Sequence, residues 1–236
     1  MTTKTKDKTT TRVEPAINKG AVATLVSPQQ VAKWKQPTPQ RDYLLLDSSG
    51  SMKSKWNDTL HAVNGYVRSL GSRVNTKLML AIFANEYNAI RENQSPMTWK
   101  NITTEEVEPS GSTALNDAIG RIVATAKKDN PDKAAIVIAT DGEENSSKEV
   151  TNEQAKALLD ECRERGWQVI HLHIGSTATA QAMSDVYGIG TNQTVALDKQ
   201  SLTLVLQKTA EKRAEYAKSG TGMTFMDSEK KTLLLK

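Results

Sequence analysis

Leu44-Leu45-Leu46-Asp47-Ser48-Ser49-Gly50-Ser51-Met52 is the stretch on which the reading of this chain turns. An apolar run ends in an acid, and two hydroxyls follow at alternate positions. A short apolar run bounded by polar residues reads as a buried strand. Trp56, Leu60, Val63, Val67 and Leu70 then recur at helical spacing, with Gly71 placed to end the helix. Asp47, Ser49 and Ser51 are therefore hard oxygen donors at a strand-to-helix turn. Such a turn suits a small hard cation such as Mg²⁺, which takes few protein oxygens and keeps several waters.

Outward from this stretch, strands alternate with helices. Lys77 to Phe83 and the continuous apolar run Ala134 to Ala139 read as strands, the second buried on both faces. Glu86 to Arg91 is a more polar strand, as an edge strand would be. Val169 to Ile174 and Thr194 to Leu197 complete the set. Thr113 is placed to cap a helix carrying Leu115, Ala118, Ile119, Ile122 and Val123, and Thr151 with Gln154 to form a capping box for the next. A short helix from about Thr179 to Tyr187 and a last one through Leu202, Val205, Leu206 and Thr209 follow. The alternation predicts a three-layer, doubly wound α/β fold. Its sheet is mostly parallel with one antiparallel edge strand, and helices cover both faces. Residues 92–112, with Pro96, Pro109 and Gly111, read as a long loop of the kind that carries function.

In such sheets ligands bind beyond the carboxyl ends of the strands. Asp47 and Asp141 both close a predicted strand, and Thr113 opens a helix from a loop. Two carboxylates and the hydroxyls of Ser49, Ser51 and Thr113 barely neutralise a divalent cation and leave coordination positions open. No thiolate and no His stands in these motifs, so Zn²⁺ and Cu²⁺ are poor candidates. An under-coordinated cation attracts a carboxylate from another molecule. The competing explanation is helix capping, which Asp, Ser and Thr also perform. Capping alone would not call for Asp141.

Three segments in order, Asp47-Ser48-Ser49-Gly50-Ser51, Gly111-Ser112-Thr113 and Thr140-Asp141-Gly142, resemble the metal-ion-dependent adhesion site of von Willebrand factor A domains. The resemblance covers about residues 41–215. It implies that Ser49 and Ser51 ligate Mg²⁺ or Mn²⁺ directly, that Asp47 and Asp141 act largely through waters, and that Thr113 joins when ligand binds. A partner's Asp or Glu would complete the coordination. The family commonly has Gly-Gly-Thr at the second loop, where this chain has Gly111-Ser112-Thr113. The resemblance also implies a protein-binding module and not an enzyme. It fits a compact cytoplasmic member of bacterial or phage type, in an assembly or stress-related complex, with an AAA+ ATPase as one class of partner.

Composition bounds the alternatives. The 236 residues carry a net charge of +4, but residues 1–41 hold eight Lys/Arg against two acids, so the remainder is slightly acidic. The basic character belongs to an N-terminal arm, residues 1–40, rich in Thr, Lys, Pro and Gln and read as largely disordered. A short basic arm is usually a solvated segment, so nucleic acid is a secondary reading. No apolar run approaches a membrane span. The first residues lack the apolar core of a secretory signal, and the single Cys162 makes no internal disulfide. Both point to a reducing cytoplasm. Residues 216–236 read as a flexible C-terminal tail.

A metal-dependent hydrolase or phosphatase is the other alternative. An aspartyl phosphotransferase would want a second Asp where Ser49 stands. The P-loop and nucleophile-elbow patterns are missing, and Gly188-Ile189-Gly190 lacks the third glycine of a dinucleotide fingerprint. Of the remaining polar residues, Asp117 reads as a first-turn carboxylate favouring a helix N-terminus. Glu143 and Glu144 read as a solvated loop beside the site. His171 and His173 share one face of a strand without a visible third ligand, which favours packing over metal.

Overall fold

β1, Gln40–Asp47, is buried from Asp42 onward because it is the middle of the sheet. It pairs in parallel with β2, Thr76–Phe83, on one side and with β4, Ala134–Thr140, on the other. A strand enclosed on both edges and both faces tolerates an unbroken apolar run, which is what Leu44, Leu45 and Leu46 supply. This computed structural model describes residues 40–234. The sequence reading of residues 1–40 as a basic, disordered arm lies outside the described residues except at Gln40, which already belongs to β1.

Six strands form one sheet in the order β3-β2-β1-β4-β5-β6. β3, Tyr87–Gln94, is antiparallel to β2 and is the polar edge, with register shifts along its pairing. β5, Gln168–Ile174, and β6, Thr194–Leu197, extend the parallel part beyond β4. The order reverses between β1 and β4, which places a crevice beyond the carboxyl ends of those two strands.

Alternate side chains of the strands go to opposite faces. Leu44, Leu46, Val137, Ala139, Ile170 and Leu172 meet helix α1, Trp56–Gly71, and helix α5, Leu202–Ser219, through Val63, Val67, Leu70, Val205 and Leu206. Tyr43, Leu45, Ile136, Ile138 and Val169 meet the other layer, in α2, Leu115–Asp129, α3, Asn152–Glu164, and α4, Thr177–Tyr187. Each such buried Val, Leu or Ile side chain contributes about 1.5–3 kcal/mol over leaving it in water. Among the described residues, no helix is long and apolar enough to cross a membrane.

Three local expectations need correction. The strand-to-helix turn is longer than the sequence reading implied. A 3-10 helix, Gly50–Lys55, comes first and carries Met52 into the core, fully buried, before α1 starts at Trp56. β1 begins earlier than its apolar run, because Asp42 is neutralised inside the fold by Arg213.

The segment from residue 216 is not a flexible tail over its described part. α5 runs on to Ser219, Met223 and Phe225 are buried, and α6 spans Asp227–Leu234. The Phe225 N–H donates to the Asn192 carbonyl at 2.6 Å, and Lys212 holds Glu229 at 3.0 Å. Two apolar side chains in a polar stretch are enough to seat it, a signal too sparse to show periodicity.

Candidate metal centre

Asp47 ends β1 with its side chain sealed from solvent. Its Oδ1 accepts the Ser49 N–H at 2.7 Å, and its Oδ2 accepts the Thr140 hydroxyl at 2.5 Å. Both donors are neutral. Burial pushes the Asp47 carboxyl above its ordinary range; the bonds from Thr140 and Ser49 oppose this, and the nearby Asp141 charge adds to it. The Ser49 and Ser51 hydroxyls stand 3.0 Å apart, and Ser51 Oγ donates to Asp141 Oδ1 at 2.6 Å. Asp141 follows β4 directly, and its other oxygen meets Lys55 Nζ.

Thr113 reaches the same place from the second loop. A Cβ added at Gly142 would lie 3.0 Å from Thr113 Oγ1 and 3.6 Å from Asp47 Oδ2, so this glycine leaves room for both oxygens at the centre. The structure thus brings Asp47, Ser49, Ser51, Thr113 and Asp141 together at the carboxyl ends of β1 and β4. Asp47, Ser49 and Thr113 are buried, while Ser51, Gly50 and Gly111 reach the surface. The cluster is enclosed below and open above.

Capping does not account for these residues. Neither Ser49 at the 3-10 helix nor Ala114 at the start of α2 makes a side-chain cap bond, so Thr113 is not the cap expected of it. The first turn of α2 is served from the third loop instead. The Asn116 N–H donates to Glu144 Oε2 at 2.8 Å, and the Asp117 N–H to Ser147 Oγ at 3.1 Å. That arrangement leaves the Thr113 hydroxyl free for the centre. Thr151 and Gln154 do form the capping box of α3.

A second set of residues holds the loops in place, and most of it escaped the sequence reading. Asn145 clamps Thr113 through two bonds, accepting its N–H on Oδ1 at 2.9 Å and donating its own N–H to the Thr113 carbonyl at 3.0 Å. Glu144 is not a solvated rim charge, since it also accepts the N–H groups of Ser146 and Ser147 at 2.8 and 2.7 Å. Asp117 is more than a helix-end charge, because it accepts the backbone N–H groups of Lys148, Glu149 and Val150. Slight burial works to raise its carboxyl, but those three bonds outweigh it and hold it below the ordinary range. Asn85 Oδ1 accepts the Ser112 N–H at 2.9 Å, packed so closely on Gly111 (φ +80°) that a Cβ there would lie 1.9 Å from it. Only the position of Thr140, a hydroxyl at the end of an apolar strand beside Asp141, hinted at its role.

His171 and His173 face the α2–α4 layer and meet edge to face with centroids 5.9 Å apart. Both are buried, and burial lowers both, His171 to about 3. Among the described residues, no group of three or more His, Cys, Asp and Glu is placed to hold a metal. Any cation at the Asp47–Asp141 cluster must therefore draw on its hydroxyls. Two carboxylates and three hydroxyls, all hard oxygens, fit a hard divalent cation and not a soft one.

A doubly wound sheet with an oxygen-rich cluster over its switch point is an arrangement that can be compared with known domain families. The model of the von Willebrand factor type A domain matches residues 43–212, and the chain belongs to that family. Solved structures are similar in fold at low identity. The manganese-loaded TRAP protein of Plasmodium vivax is 18% identical, with a TM-score of 0.53 over 72% of each chain. The ArnB paralog VWA2 of Sulfolobus acidocaldarius is 17% identical, with a TM-score of 0.52 over 74% of this chain and 45% of that one. The pilus adhesin SpaC of Lactobacillus rhamnosus GG is 11% identical, with a TM-score of 0.60 over 77% of this chain and 30% of that one. The chain thus spans less than half of the last two. No curated protein matches it.

Proposed function

We propose that this chain binds a partner protein through a divalent cation, Mg²⁺ or Mn²⁺, held by Asp47, Ser49, Ser51, Thr113 and Asp141. The observation that carries the reading is Asp47. It is a fully buried carboxylate whose own partners, Ser49 and Thr140, are both uncharged. A buried charge without a counter-charge is costly, and a cation among the neighbouring hydroxyls removes that cost. When bound, the cation supplies positive charge at the open, solvent-facing side of the cluster. An Asp or Glu of a partner is the chemistry that side selects.

The protein's residues do the rest. Ser51 and Ser49 orient through each other and Asp141, while Asn145, Glu144 and Asp117 keep the second and third loops in register. The manganese in the TRAP structure supports a divalent ion in this fold. The function on this reading is binding and not turnover.

The test is Mn²⁺ titration of the full chain followed by partner capture. Wild type is expected to bind one ion and to retain a host protein in Mg²⁺ but not in EDTA. Asp47→Ala and Ser49→Ala are expected to lose both. Retention that is equal in EDTA, or unchanged in both variants, overturns the reading.

A further inference from the structure

The second acid of the centre is treated differently from the first. The Asp141 side chain is 0% exposed, and both of its oxygens are engaged, one by Ser51 Oγ at 2.6 Å and the other by Lys55 Nζ. Among the described residues, Lys55 makes the one ion pair with any of the five centre residues. It ends the 3-10 helix that starts at Gly50, so its stem leads back onto the centre from the same turn that presents Ser51. Its side chain is 28% exposed, which gives the ammonium a route to solvent.

We propose that Lys55 is a tethered competitor for the metal position. Its ammonium occupies the electrostatic role at Asp141 that the divalent ion would take, and must be displaced for the ion to bind. This rests on the metal reading given above. The physical reason is charge crowding. A divalent ion and an ammonium drawing on one carboxylate place three positive charges within contact range, and their repulsion is strong in a partly buried site. A lysine is a flexible point charge, so it can yield by rotating its stem outward, at the expense of its own ion pair.

Two consequences follow from the exchange. The free protein keeps Asp141 neutralised and the loops seated without metal. The cation then binds more weakly than the donor set alone would allow, so the site fills only when cation is plentiful or when a partner carboxylate joins it. The competition makes the interaction conditional.

The experiment is Mn²⁺ titration of the full chain, read by the free-ion EPR signal, on wild type, Lys55→Met, Lys55→Gln and Lys55→Arg. The expected result is affinity about tenfold tighter or more in Lys55→Met and Lys55→Gln, with Lys55→Arg near wild type. A second readout separates competition from simple damage. Without metal, Lys55→Met is expected to melt lower than wild type, because Asp141 has lost its counter-charge, and to regain the difference in Mn²⁺. Binding by Lys55→Met where wild type binds none would support the proposal in its strongest form. Equal or weaker affinity in both neutral variants overturns it while leaving the metal reading intact. No binding by any of the four overturns both.

Discussion

Asp42 and Asp47 stand at opposite ends of β1, both buried, and the fold handles them in opposite ways. At the amino end, Asp42 Oδ1 accepts Arg213 Nε at 2.7 Å and Oδ2 accepts the Thr76 hydroxyl at 2.6 Å. Arg213 is itself fully buried, gives a second bond to Gln40 Oε1 at 2.7 Å, and ties α5 to the sheet. At the carboxyl end, Asp47 meets neutral donors from Ser49 and Thr140 and no cationic side chain. One acid is neutralised inside the molecule and serves stability. The other makes no ion pair among the described residues, and that is the imbalance the proposed cation would answer.

The largest expected effect comes from breaking the amino end. Arg213→Ala strands the Asp42 carboxylate, and urea denaturation should show a loss of about 3–5 kcal/mol, the range for a buried pair deprived of one partner. Asp42→Asn combined with Arg213→Met should recover much of it. A loss under about 1 kcal/mol for Arg213→Ala would mean that water reaches Asp42 and that the two ends are not so different.

His171 sharpens the comparison with a buried group of the opposite charge type. Burial lowers its pKa from 6.5 to about 3, with the neighbouring His173 adding to this. The unfolded chain therefore takes up a proton between those values that the folded chain refuses. The stability tied to the neutral ring is fully present above pH 6.5. It is lost as pH falls toward 3, by up to about 1.4 kcal/mol per pH unit. Denaturation curves of His171→Leu should be flatter with pH across that window. An unchanged slope would assign the acid sensitivity to other groups.

The smallest effect, at Asp47, is the most discriminating when it is set against the same substitution at Asp42. Asp47 is raised by burial, so its favourable contribution belongs to the protonated form. That contribution is present at low pH and lost as pH rises through its folded value. Near neutral pH without metal, Asp47→Asn should therefore stabilise the protein slightly, while removing any stabilisation by Mn²⁺. Asp42→Asn should destabilise it, because Arg213 loses its counter-charge. Thermal melting with and without Mn²⁺ reads both, and the same sign at the two positions would dissolve the contrast.

The sequence by itself determined the sheet and the alternation of layers, and it marked the five residues that the structure gathers at the carboxyl ends of β1 and β4. Those signals are short-ranged: an apolar run closed by an acid, donors at Asp47, Ser49 and Ser51 within one turn, and helical spacing in the segments between strands. Thr151 with Gln154 was legible for the same reason. The tertiary structure alone decided what those residues face. Lys55 at Asp141, Thr140 at Asp47, Asn145 at Thr113 and Arg213 at Asp42 are each partners across distant stretches of chain. It also decided that Thr113 is released from capping because Glu144 and Ser147 serve α2, and that Met223 and Phe225 seat the last segment. Spacing along a chain records local geometry. Whether a buried charge is matched, and by what, depends on which loops the packed layers bring into contact, and no local pattern carries that.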